Sequence, residues 1–262
     1  MRKVDGDLLG LTRRGAAGAA GAALPAFLFY ALLGEARAAV PARRGAPQCW
    51  IARQDEIARA LAAGQIKPMD WRLEVERLGR EVDLGELMAT VNRAQLTAQG
   101  RGSHNDPFKR QVRFQDEHGA PRRLTYGAAL FAFEPHNVIT PHGHRHMVSA
   151  HMVVEGAFRI RNFDRVGDQA NAMLVRPTRD YVARVGQVST MGGARDNIHW
   201  FTPQGGKPAM TLDVIVSGLD AGQPDHEIKA IDILGGSRRR DGIIVAPVMD
   251  FDASSRKYTA AV

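Results

Sequence analysis

The run Ala128-Ala-Leu-Phe-Ala-Phe133, followed by Pro135, Pro141-His142-Gly143-His144 and an apolar stretch from Met147 to Glu155-Gly156, decides the fold. Short segments rich in Val, Ile, Phe and Thr, cut by Gly, Asp, Asn and Pro, continue on both sides of it, which is the pattern of strands and turns. Strands are expected at 111–115, 124–134, 147–155, 158–164, 172–175, 187–191, 197–202 and 210–216. Eight strands without intervening helices predict a mainly β fold, a small antiparallel barrel or double-sheet jelly roll. Two more, at 228–234 and 242–248, extend a sheet or tie the C-terminus back onto the helices.

The histidines give that fold a chemistry. Two residues at i and i+2 on a strand point to the same face, so His142 and His144 form a pincer. Neutral imidazole is a good ligand for Fe, Zn, Cu and Ni. A third histidine, His199, stands in the apolar run Ile198-His199-Trp200-Phe201, where an unpaired polar group is costly to bury. His142, His144 and His199 are therefore the candidate metal ligands. His146 and His151 are candidates for outer hydrogen-bond donors or a substitute ligand, His151 sharing its strand face with Ser149. His104, His118, His136 and His226 sit in turn-like surroundings and read as surface residues.

Working outward, residues 50–92 carry helical periodicity, with Ile51, Ile57 and Leu61, then Trp71, Val75 and Leu78, then Leu84, Leu87 and Met88 on common faces. Pro68 and breaks at Gly64 and Gly85 divide them into two or three short helices. Residues 93–107 are polar and Gly-rich, a linker or a loop over the core. Residues 1–38 read as an export signal: Arg13-Arg14, an uncharged stretch from Gly15 to Gly34, and the small-x-small cleavage site Ala36-Arg37-Ala38. The arginine pair resembles a twin-arginine (Tat) signal, which implies a periplasmic or secreted protein with no stable membrane span after cleavage. An uncleaved membrane anchor is the alternative. The expected organisation is a signal at 1–38, a helical segment and linker at 39–107, the barrel at 108–220 and a β extension at 221–262.

Composition excludes some classes. The chain has 262 residues and a formal charge of +7, spread along the sequence with one dense run at Arg238-Arg239-Arg240. That is a solvated surface, without the clustered basic face that nucleic-acid binding needs. The single cysteine, Cys49, rules out an intramolecular disulfide and a C-x-x-C site; it reads as a small, partly buried residue just before the first helix.

The order of an apolar strand, an H-x-H, a strand ending in Glu155-Gly156, the Gly192-Gly193 turn and a third histidine on a strand resembles the cupin superfamily from Leu124 to Ser217. Cupins commonly add a glutamate seven residues before that glycine, where this chain has Ser149. A narrower likeness follows. His142-Gly-His144-Arg-His-Met147, Phe158-Arg-Ile-Arg-Asn-Phe163-Asp164, Asp196-Asn-Ile-His199-Trp-Phe201 and Met210-Thr-Leu-Asp213-Val-Ile215 resemble the plant cysteine oxidase and cysteamine dioxygenase family.

The resemblance implies non-haem Fe(II) on the three histidines, a small thiol and O2 as reactants, and Asp213 as the group that holds a substrate amine. A structural hydrogen-bond acceptor is the alternative role for Asp213. Three neutral imidazoles leave a divalent ion its full charge, which draws in a thiolate; they also accept Zn, Mn, Ni or Cu. Ser217-Gly218-Leu219 departs from the family by lacking a tyrosine near the substrate, and Gln204-Gly205-Gly206-Lys207 lengthens the preceding loop. Tyr126 is the nearest tyrosine that can line the barrel mouth in a catalytic role, a core position being the alternative. A periplasmic cupin that binds a metal or small ligand without turnover, or a structural domain with buried histidines, are the competing functions.

Overall fold

The computed structural model describes residues 45–91, 97–98, 105–193, 195–220, 222 and 228–261. The expected export signal at 1–38 lies outside them, as do His104 and His226. No helix among the described residues is long and apolar enough to cross a membrane.

Three helices open the described chain: α1 (Pro47–Ala62), α2 (Pro68–Glu81) and α3 (Leu84–Thr90). α1 ends at Gly64, whose φ of 69° few side chains tolerate. Pro68 starts α2, where its missing N–H costs nothing. The second break falls at Asp83 rather than Gly85, because the Asp83 carboxylate accepts the Glu86 N–H and caps α3. Cys49 lies inside the first turn of α1 and is exposed, contrary to the partly buried position expected before the helix.

Among the described residues thirteen strands follow. They are β1 (Thr97–Ala98), β2 (Phe108–Val112), β3 (Gly127–Phe133), β4 (Ile139–His144), β5 (Met147–Glu155), β6 (Ala157–Gln169), β7 (Ala172–Arg184), β8 (Val188–Met191), β9 (Ile198–Pro203), β10 (Ala209–Ser217), β11 (Ile228–Ile231), β12 (Ser237–Arg238) and β13 (Ile244–Met249). They form two antiparallel sheets, ordered β1-β2-β3-β10-β5-β8 and β11-β4-β9-β6-β7-β13-β12. From β3 to β10 the chain crosses between the sheets, so that β3, β10, β5 and β8 face β4, β9, β6 and β7. This is the cupin-type double-stranded β-helix, a mainly β jelly roll with an N-terminal helical layer.

Two departures from the sequence reading bear on the site. The H-x-H lies on a strand of its own, β4, that its polar and Pro-Gly composition concealed. The strand at 172–175 runs on to Arg184, because antiparallel pairing with β6 along its length supplies the backbone hydrogen bonds that its charged residues do not suggest. The C-terminus adds a helix, α4 (Phe251–Thr259), capped by the Asp250 carboxylate and packed through Tyr258 against Trp200 at 4.8 Å between ring centroids.

The six-stranded sheet is buried on both faces. Val148, Ala150, Met152, Leu212, Val214 and Val216 meet Trp50, Ile51, Ile57, Leu61, Trp71, Val75, Leu78 and Leu87 of the helices. Gly79 permits the closest approach: a Cβ there would stand 2.3 Å from Val188 Cγ2. The opposite face meets the seven-stranded sheet, where Phe133 and Val153 pack on Phe158, Ile160, Ala183 and Phe201.

Candidate metal centre

β4 and β9 pair in a register that sets His142 directly opposite His199, and the period of two brings His144 to the same face. The three ring centroids lie 4.5 Å (His142–His144), 4.5 Å (His142–His199) and 5.2 Å (His144–His199) apart. One ligand atom from each falls within 4.8 Å of the others, and among the described residues this is the one such group. The cluster sits between the sheets: His151 of β5 stacks edge-on against His199 of β9 at 4.8 Å.

Orientation and electrostatics suit a cation. The His142 Nδ1–H donates to the Thr140 carbonyl at 2.7 Å, which fixes the tautomer and turns the Nε2 lone pair inward. Burial lowers the His142 imidazolium to about 4, against the partial support of that carbonyl. His199 is held well below the ordinary histidine range, first by burial and then by His142, His151 and His144 around it. Both rings therefore stay neutral at pH 7, as metal ligation requires. His199 Nε2 lies 3.1 Å from His142 Nε2, so the two nitrogens already converge on one point. The donor set of three clustered imidazoles fits a divalent transition metal.

The remaining candidates fall in different places. His146 turns away at φ 57° and approaches Asp220 at 3.4 Å. His151 stays inside, where its Nδ1–H donates to Asp213 Oδ2 at 2.7 Å and Ser149 Oγ lies 2.8 Å from its Nε2. Ser149, His151 and Asp213 are all buried, and the second Asp213 oxygen, Oδ1, has no hydrogen-bond partner. Asp213 is thus tied to His151 and keeps one oxygen toward the interior.

Tyr126 does not join the histidines. It shares the parity of Ala128 and Leu130 on the helix-facing side, belongs to the core there, and places its hydroxyl 3.5 Å from the Ile51 carbonyl. The catalytic placement expected of Tyr126 is corrected to a core position, because strand alternation turns it to the opposite face of the sheet from Asp213. Burial raises its phenol far above the usual range. Leu219 also packs on the helix-side core. His118 and His136 are exposed, as expected.

Three features escaped the sequence reading. Phe251 of α4 stands 5.9 Å from the His142 ring. Arg72 of α2, itself buried, donates to Asp196 (2.5 Å) and to the carbonyls of Thr190 and Arg195, and so pins the turn that leads into β9 and His199. Asn162 lies directly opposite His199 on β6 and is buried. A polar residue at the parity of Phe158 and Ile160, both core, was the signal for Asn162.

No family model and no curated protein matches the chain. Among solved structures, an oxalate oxidase superposes with a TM-score of 0.34 at 16% identity, over 50% of this chain and 58% of that one. A double-stranded β-helix protein from Klebsiella pneumoniae gives 0.32 at 14% identity, over 49% and 88%. Lactobacillus farciminis oxalate decarboxylase in a formate complex gives 0.35 at 13% identity, over 52% and 34%. The chain spans less than two thirds of the oxalate oxidase it resembles. Its fold class rests on its own strand order: a double-stranded β-helix that gathers three histidines between its sheets.

Proposed function

We propose that this protein is an exported, metal-dependent cupin-fold oxidoreductase, a non-haem Fe(II) dioxygenase that converts a small thiol to its sulfinate. The observation that carries the reading is the convergence of His142, His144 and His199, with no carboxylate in the group. The reaction balances as RSH + O2 → RSO2H: two S–O bonds form, sulfur is oxidised, dioxygen is reduced, and no external reductant is needed. When bound, Fe(II) supplies the open positions at which thiolate and dioxygen meet.

The chain's own residues do the rest. Thr140 orients His142, and His151 holds Asp213 so that Oδ1 is left to receive a substrate ammonium or hydroxyl. Phe201, Phe133 and Phe158 keep the inner end of the barrel dry.

Oxygen uptake by the full chain, loaded anaerobically with iron, tests this with cysteine, cysteamine and N-terminal-cysteine peptides. One O2 consumed per thiol, with a product heavier by two oxygen atoms, is the expected result. Absence of uptake at one iron per chain overturns the enzyme reading. It would favour the second reading, a binding cupin, for which the helix-side position of Tyr126 speaks because it keeps that hydroxyl away from the histidines.

A further inference from the structure

The hydrogen bonds of the histidine cluster leave one atom without an outlet. His142 Nδ1 carries its proton, since the Thr140 carbonyl can only accept, so His142 Nε2 is a lone pair. The 3.1 Å approach of His199 Nε2 to that lone pair then requires a proton on His199 Nε2. A metal ion needs both Nε2 lone pairs, so in the loaded site His199 must be the other neutral tautomer, with its proton on Nδ1. That nitrogen is buried and has no hydrogen-bond partner. A buried N–H without an acceptor is costly, because it has given up its hydrogen bond to water and gained none.

The acceptor stands next to it. β9 lies between β4 and β6, and the register that pairs His199 with His142 on one side pairs it with Asn162 on the other. Directly opposed residues on neighbouring strands share a face with Cβ atoms about 4.5–5.5 Å apart, within reach of an Asn amide. Asn162 is 2% exposed, and both its Oδ1 and Nδ2 lack partners. Neither the inner Phe158 and Ile160 nor the neighbouring Phe201 offers it one.

We propose that Asn162 is the positioning residue of the metal centre. In the metal-free structure the amide and His199 Nδ1 stand opposite each other unbonded; when a metal occupies the site, the amide turns to accept the His199 Nδ1–H through Oδ1. A half-turn about the terminal torsion of a primary amide exchanges donor for acceptor. The inference rests on the metal-centre reading above and adds the group that sets the orientation and basicity of His199.

The test is zinc affinity of the full chain by chelator competition, together with the 15N resonances of His199 in the zinc-loaded protein. Outer hydrogen-bond partners of this kind are worth about 10–100-fold in affinity. Asn162→Leu is expected to weaken zinc by that factor and to shift His199 Nδ1–H away from its hydrogen-bonded position. Asn162→Asp, a stronger acceptor, is expected to restore the affinity, which packing alone would not do. Circular dichroism and melting of the metal-free variants report folding; if Asn162→Leu does not fold, Asn162→Ala replaces it. Unchanged affinity in a folded apolar variant, or an aspartate variant as weak as the leucine one, overturns the role of Asn162 alone. Wild-type protein that binds no stoichiometric zinc overturns the metal centre and the assignment together.

Discussion

On β5 and β10 the residues turned toward the helices are Val148, Ala150, Met152, Leu212, Val214 and Val216, while Ser149, His151, Thr211 and Asp213 alternate with them on the inner face. Both faces are buried, and they are buried for different ends. The helix side exchanges apolar surface for packing, the dominant stabilising term in folding. The inner side keeps polar atoms from water at a cost, and several of them, His199 Nδ1, both polar atoms of Asn162, Thr211 Oγ1 and Asp213 Oδ1, have no partner. A fold that carries such a burden inside is stabilised by its helix-covered half and spends that stability at the histidines.

The sharpest way to break this division is to remove a ligand. His199→Ala is expected to abolish stoichiometric zinc binding while leaving the melting temperature of the metal-free protein within a few degrees of wild type; zinc retained at one per chain would refute the site. Trp71→Ala does the reverse. Trp71 is fully buried among the helices, so its loss is expected to cost about 3–5 kcal/mol in denaturant unfolding, with zinc stoichiometry intact in the folded fraction. Gly79→Val places a side chain against Val188 and should cost about 1–3 kcal/mol by overpacking, again without effect on zinc.

Acid separates the halves less completely. His142, held down to about 4, and His199, held well below its ordinary value, stay neutral in the folded protein while their unfolded counterparts take up protons from about pH 6.5 downward. The unfolded state binds more protons in that window, so metal-free stability is expected to fall as pH drops from about 6.5 to about 4 and to be flat above it. In His142→Leu that slope should be smaller in pH-dependent urea unfolding; an equal slope would place the titration elsewhere. The smallest effect belongs to the outer face of the seven-stranded sheet. Arg159 pairs with Asp180 in the open, and Arg159→Ala should leave both melting and zinc affinity unchanged, since exposed pairs contribute little.

Much of this was legible in the chain. The alternation of Met147 to Glu155 predicted β5 at its observed bounds, and the H-x-H spacing put two ligands on one face. The parity of His151 with Ser149 was legible too, but its bond to Asp213 was not, because those residues lie 62 positions apart and meet through the β5–β10 register. β7 was cut short because its charged residues face outward, where pairing with β6 rather than apolar alternation makes the strand. α4 was missed because nine residues with little apolar content signal a helix only weakly; the Asp250 cap and the Tyr258–Trp200 contact hold it.

The sequence by itself determined the strand periodicity, the helical segment and the identity of three metal-ligand candidates, because period, turn chemistry and imidazole coordination are local properties. Only the tertiary structure decided which side chains share the histidines' space. Tyr126 left the site and Asn162 entered it for the same physical reason: the face a strand residue takes, and the residue opposite it, are fixed by inter-strand register, which no local pattern records.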